Sequence, residues 1–350
     1  MEKFKKRKAL QQRNSAEIIA SNDDLLIEIL LRLPIKLLIR FKSVSKHWQS
    51  LITNPLFRQL RNRTIGLMFP VDDRVLHSCN EVLLCVSYCA RVCNPITNQL
   101  SVVQQPEIGN YRVIRGMRLA FDPATSPHYK VVCVQKLGIK FYQILLYSSY
   151  YTWGISSDPF TSFINSFKKG VYWNGAMHWM CYKRHLYFKI EDQVLDEMPK
   201  LPFSNDWNSR SNSYFGESCD HLHFVETRDT QIQLNVYEMK RNYSEWFIKY
   251  QIDLSPVFAA YPEIIRGYTN PKISLCYYDF SLFCIVSGWK EEESFLGLQT
   301  PTKVIPLNLV CKTFKTLYEF EGDFGHHWDQ RGLKFAYTTG FQYIEALCCI

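Results

Sequence analysis

His221 and His223 stand one residue apart, and Cys85, Cys89 and Cys93 recur at every fourth position. Imidazoles and thiolates at such spacings are the side chains of this 350-residue chain that could hold a metal or act as nucleophiles. On a strand the two histidines point to one face. A zinc site would need further ligands at paired spacing, and no such cluster accompanies them, so hydrogen-bonded or surface histidines are expected and no metal. The three cysteines share one strand face or one helix stripe but lack the close pairing of a zinc or iron–sulfur motif, which makes them buried core thiols in this reading. The chain has twelve cysteines, from Cys79 to Cys349, scattered through apolar contexts; without a secretory signal they are expected to be reduced. The terminal Leu347-Cys348-Cys349-Ile350 is not a prenylation box, because Leu347 stands where that box has Cys. A Cys pair there could be acylated; a closing strand is the preferred reading.

Other chemistry is missing from the sequence. There is no phosphate-cradling Gly-x4-Gly-Lys loop, no Gly-x-Ser-x-Gly nucleophile turn and no dinucleotide glycine fingerprint, so neither a catalytic residue nor a cofactor is expected. The net charge of +8 is uneven: residues 1–63 hold 14 of the 41 Lys and Arg and 5 of the 33 Asp and Glu, leaving 27 against 28 for the rest. An aromatic-rich remainder so close to neutral argues against nucleic acid as a partner. The basic run "KFKKRK" is either a nuclear address or a solvated end. No run approaches the ~18 apolar residues of a membrane span, and the start lacks the apolar stretch of a signal peptide. No membrane association is expected, and the location follows as nucleus and/or cytoplasm.

The elements that carry these residues fall into two unlike parts. Leu25, Leu26, Ile29, Leu30 and Leu33 recur at helical spacing behind Ser21, Asn22, Asp23 and Asp24, which supply cap oxygens and negative charge for a helix beginning near Asp23. Pro34 ends that helix at about Leu33. Ile35, Leu37, Leu38, Phe41 and Val44 form a second stripe, and Trp48, Leu51 and Ile52 a third, closed by Asn54-Pro55. A unit of about 40 residues with this much apolar surface is too small to enclose it all, so another protein is expected to cover part of it.

From about Thr64 the helical period gives way to short apolar runs and turn signals, the pattern of antiparallel strands. In "GVYWNGAMHWM" the Asn174-Gly175 pair predicts a two-residue hairpin turn. Further hairpins are predicted in "RVCNPITNQLSVV", "LYFKIEDQVLDEMP", "LNVYEMKRNYSEWFIKY" and "VIPLNLVCKTFKTLY". Taking Val92, Phe188, Val236 and Pro306 as equivalent points, with a weaker one near Leu146, gives a repeat of roughly 40 to 70 residues against ~40 to 50 for a propeller blade. Dividing about 285 residues by that period predicts about six blades. A pair of β-sandwiches is the alternative.

The head, through "DDLLIEILLRLPIKLLIRFKSVSKHWQSLITNPLF", resembles the F-box, the recruiting module of SCF ubiquitin ligases. In the body, "VCNPITNQL", "AFDPATSPHYKVV", "GVYWNGAMHWM" and "IQLNVYEMKRNYSEW" look in that order like motifs of the plant F-box-associated interaction domain. The resemblance implies an α+β multidomain chain: a basic tail over 1–20, a three-helix F-box over 21–62 and an all-β, propeller-like, substrate-binding domain over 64–350. It implies docking of a Skp-type adaptor on Leu25, Leu26, Ile29, Leu30, Leu33, Pro34, Leu37, Leu38, Phe41, Val44 and Trp48, and through it a cullin-RING ligase. The protein substrate is unknown, with Trp207 and Tyr214 in "SNDWNSRSNSYFG" as candidates to hold it. Other readings are a scaffold or competitor that delivers no target, and a β-propeller enzyme.

Overall fold

The computed structural model describes residues 19, 21–33, 35–54, 57, 64–68, 75–80, 82–86, 89–95, 99–106, 113–148, 152–162, 167–180, 184–202, 212–227, 232–264, 280–288, 290–300, 302–320, 327–328, 334–335 and 341–344. Among the described elements the head holds three short helices: α1 (Asp23–Leu31), α2 (Ile35–Phe41) and α3 (Lys46–Thr53). Asn22 caps α1 by accepting the Leu25 amide at 3.1 Å, and Ser45 caps α3 by accepting that of Trp48 at 3.1 Å. These bonds satisfy amides that the first turn of a helix leaves open. The head has its own core, built from Leu26, Leu30, Leu38, Leu51, Ile52 and Phe57.

After the head, the described elements are β strands apart from α4 (Ser255–Ala260) and two single 3₁₀ turns. After β1 (Thr64–Met68) come five antiparallel sheets in sequence order. The first holds β2 (Val75–Cys79), β3 (Val82–Val86), β4 (Ala90–Asn94) and β5 (Gln99–Val103); the second β6 (Val113–Ala120), β7 (Lys130–Lys136), β8 (Phe141–Ser148), β9 (Thr152–Ile155) and β10 (Phe160–Thr161). The third holds β11 (Val171–Trp173), β12 (Ala176–Trp179), β13 (Leu186–Lys189) and β14 (Val194–Glu197); the fourth β15 (Asn212–Ser218), β16 (His221–Thr227), β17 (Gln233–Met239) and β18 (Trp246–Asp253). The fifth holds β19 (Ser281–Val286), β20 (Phe295–Gln299), β21 (Lys303–Asn308) and β22 (Tyr318–Glu319). A two-stranded pair, β23 (His327–Trp328) and β24 (Lys334–Phe335), precedes β25 (Phe341–Ile344), which pairs with β1.

The first strands of the sheets form the inner ring: β2 packs on β6, β6 on β11, β11 on β15 and β15 on β19, while β25 touches both β19 and β2. This is a five-bladed propeller, and the expectation of about six blades is corrected. The five marker positions Val92, Leu146, Phe188, Val236 and Pro306 each lie on the third strand of one blade, so the markers count five. Dividing chain length by the period overcounted, because part of the length lies in connections and in the C-terminal segment that ends in β25.

Apolar side chains fill the gaps between blades. Val82, Leu84 and Val92 meet Leu119, Val131 and Cys133 between the first and second, and Val132, Ile144 and Phe167 meet Met177, Trp179 and Phe188 between the second and third. Trp173 and Tyr187 meet Phe224 and Trp246 between the third and fourth, and Val225, Val236 and Ile252 meet Leu282, Leu296 and Ile305 between the fourth and fifth. The Asn174-Gly175 turn is as predicted: φ is +49° and +72°, values that Asn and Gly tolerate, and Trp173 pairs with Ala176 across it. No helix among the described residues is long and apolar enough to cross a membrane.

Candidate interaction site

The apolar stripes of the head divide into two sets. On α1, Leu26 and Leu30 are buried, whereas Leu25 and Ile29, one position earlier on the helix, keep 46% and 44% of their surface. On α2 and the turn after it, Leu38 is buried while Leu37 and Val44 keep 36% and 58%. Leu33, Phe41 and Trp48 are partly buried against the head core, and the Phe41 and Trp48 rings meet edge to face at 5.3 Å. Pro34 lies outside the described residues. Four aliphatic side chains on α1, α2 and the following turn are therefore left at the surface of a unit with a closed core of its own. Exposed apolar area of this kind marks a contact surface, where it is contiguous, more often than a folding requirement.

The histidine pair is placed as its spacing predicts, on one face of β16, and both rings serve a single carboxylate. Glu238 on β17 meets His221 Nδ1 at 2.9 Å, His223 Nε2 at 3.2 Å and Lys249 Nζ at 2.7 Å. Burial would raise the Glu238 carboxyl, but these three donors overcome it and hold the group well below the usual carboxylate range. Burial also lowers His223. Among the described residues no three His, Cys, Asp or Glu side chains are placed to hold a metal ion.

The expectation of uniformly buried thiols is corrected. Cys79, Cys133 and Cys284 are buried, Cys85, Cys89 and Cys93 are half-buried, and Cys219 and Cys311 are exposed. The reason is position within the blade: Cys85 and Cys93 lie on the face of the first sheet opposite the one that carries Val82, Leu84 and Val92 into the inter-blade core. Of the substrate-binding candidates, Trp207 lies outside the described residues, as does the Cys348-Cys349 pair. Tyr214 sits on inner strand β15, half-buried against the cores of the fourth and fifth blades.

The F-box domain family model matches residues 22–60, the segment that forms α1 to α3 and the buried Phe57. F-box protein At5g07610 of Arabidopsis thaliana is 32% identical, over 95% of this chain and 93% of that protein. The chain belongs to the F-box protein family. Two further Arabidopsis thaliana relatives are putative F-box protein At3g10240, 29% identical over 38% of this chain and 46% of its own length, and F-box protein At2g14710, 25% identical over 56% and 59%. Among solved structures, an oligogalacturonate lyase from Vibrio parahaemolyticus shares 7% identity over 75% of this chain and 66% of that one, at a TM-score of 0.41, a likeness too slight to bear on function. In this F-box protein, Phe57 is a core residue that helical periodicity missed. The Asn54-Pro55 stop hides it, and only the fold returns it to Leu26 and Leu30.

Proposed function

We propose that this F-box protein is the substrate-recognition subunit of an SCF-type ubiquitin ligase. The F-box, over 21–62, docks a Skp-type adaptor that links it to a cullin and a RING subunit. The propeller, over 64–350 and of the F-box-associated type, holds a protein target. The mechanism is proximity: a target lysine held near a charged ubiquitin carrier reacts at raised effective concentration, so this chain needs no catalytic residue, metal or cofactor. The working location is nucleus and/or cytoplasm, and neither nucleic acid nor membrane is part of the assembly.

The observation that carries this reading is the apolar set Leu25, Ile29, Leu37 and Val44, which the head core does not use. Full burial of such a side chain contributes ~1.5–3 kcal/mol, and about half of that remains available for each, or roughly 3–6 kcal/mol together. Association costs about 4–15 kcal/mol, so Leu33, Pro34, Phe41 and Trp48 must add to the contact. Leu26, Leu30 and Leu38 act from beneath by holding the helices in place.

The test is titration of purified Skp-type adaptor against the full chain and a Leu37→Asp/Val44→Asp variant. Both positions are exposed, so the head still folds. Affinity is expected to fall by ~100-fold or more, equivalent to ~2.7 kcal/mol. Unchanged affinity would remove the adaptor role. A chain that binds adaptor but does not accelerate turnover of anything it captures would instead be a scaffold or competitor.

A further inference from the structure

We propose that Cys85 and Cys93 form a modification site in the first blade, a dithiol that a hydroperoxide oxidises to a reversible disulfide. The two residues lie on adjacent antiparallel strands, with Cys85 opposite Arg91 and Leu83 opposite Cys93, so both thiols stand on one sheet face at a diagonal. Their sulfurs are 3.7 Å apart. Both side chains are half-buried, open to a small solute and still held by the sheet. Arg91 stands opposite Cys85 on the same face, and its Nε donates to Cys89 Sγ at 3.2 Å.

Reactivity is divided within the pair. One hydrogen bond joins the two sulfurs; it holds Cys93 down at about 7, against the opposing effect of burial, and with burial it pushes Cys85 up. Near neutral pH Cys93 is therefore the attacking thiolate and Cys85 the resolving thiol, the arrangement that makes cysteines selective for peroxide. Elsewhere burial pushes Cys79, Cys133 and Cys284 up, which leaves them inert.

The chemistry balances with the hydroperoxide as the sole oxidant. The Cys93 thiolate attacks the terminal peroxide oxygen, the O–O bond breaks, and the departing alkoxide or hydroxide takes a proton to leave as alcohol or water. Cys93 is then a sulfenic acid. Cys85 attacks that sulfur, the S–O bond breaks, hydroxide leaves as water with the Cys85 proton, and the S–S bond forms. Two thiols have lost two electrons and two protons, and the peroxide has been reduced.

The experiment treats the reduced, full-length protein with hydrogen peroxide, followed by thiol counting and mass spectrometry of peptides. The expected result is loss of two free thiols and a Cys85–Cys93 linked peptide lighter by two hydrogens, both reversed by dithiothreitol. Cys85→Ser should stop at a sulfenic acid on Cys93 that dimedone traps, Cys93→Ser should form no bridge, and Cys89→Ser should behave as wild type. Unchanged thermal melts of the three variants show that each is folded. A bridge that uses Cys89, first oxidation at Cys219 or Cys311, or survival of all thiols at peroxide levels that oxidise free cysteine would each overturn the proposal.

Discussion

His178 shows how one residue joins two blades. Its ring packs beside those of Tyr187 and Tyr243, which stack on each other at 4.4 Å; all three planes agree within 12°, and Tyr243 is contributed by the next blade. The Val171 carbonyl, 3.2 Å from Nδ1, can only accept, so Nδ1 carries the hydrogen and Nε2 accepts from the Tyr243 hydroxyl at 2.9 Å. Burial lowers the imidazole from 6.5 to about 3. Over that interval the unfolded chain binds a proton that the folded one refuses. Stability from this group is thus complete above pH 6.5 and is lost as pH falls toward 3, by roughly 2 kcal/mol at pH 5. His178→Gln is expected to melt below wild type at pH 7 and to close about that much of the gap by pH 5. Parallel melting curves at the two pH values would show that the buried ring is not the acid-sensitive group.

At the scale of elements, the head depends on its caps and on three leucines more than on helix propensity, because helices of seven to nine residues are marginal alone. Ser45→Ala removes the acceptor for the Trp48 amide and should cost ~1 kcal/mol. Leu30→Ala opens a cavity in the core shared with Ile52 and Phe57 and should cost roughly 2–5 kcal/mol. Hydrogen exchange of the α1 and α3 amides reads both changes. The two leucine types should therefore separate: Leu30→Ala loosens the head, whereas Leu37→Asp affects binding with exchange rates unchanged. Equal effects on exchange would mean that Leu37 belongs to the core.

For the whole molecule, the decisive element is the ladder that joins the chain's two distant segments. Gly66 pairs with Tyr343 and Met68 with Phe341, and β25 contacts the inner strands of both the first and the fifth blade. Without it β2 and β19 would be left with open flanks, and the propeller would be an arc. Removal of residues 341–350 is expected to lower the melting temperature by roughly 5–10 °C, at about 2–4 °C per kcal/mol for a body of this size. Adaptor titration with the same truncated protein should match wild type, since among the described residues the head core contains none beyond Phe57. An unchanged melting temperature would show that the ladder does not carry the closure.

What the sequence determined by itself was whatever depends on residues a few positions apart. The start of α1 at Asp23, the break near Pro34, the end of α3 before Asn54 and the Asn174-Gly175 turn all follow from caps, prolines and positive-φ residue types, and each was legible in place. The five marker strands were legible too, but not that they exhaust the ring, because blade number depends on how inner strands meet around an axis. Leu25 with Ile29 and Leu26 with Leu30 are equivalent pairs four residues apart on one helix, so periodicity could not say which faces inward; the packing of α3 and Phe57 decides it. In the same way, Glu238 gathers His221, His223 and Lys249 from the two strands that flank its own, and Cys93 comes within 3.7 Å of Cys85 through a register. Those contacts arise from pairing between strands, and only the tertiary structure sets that pairing.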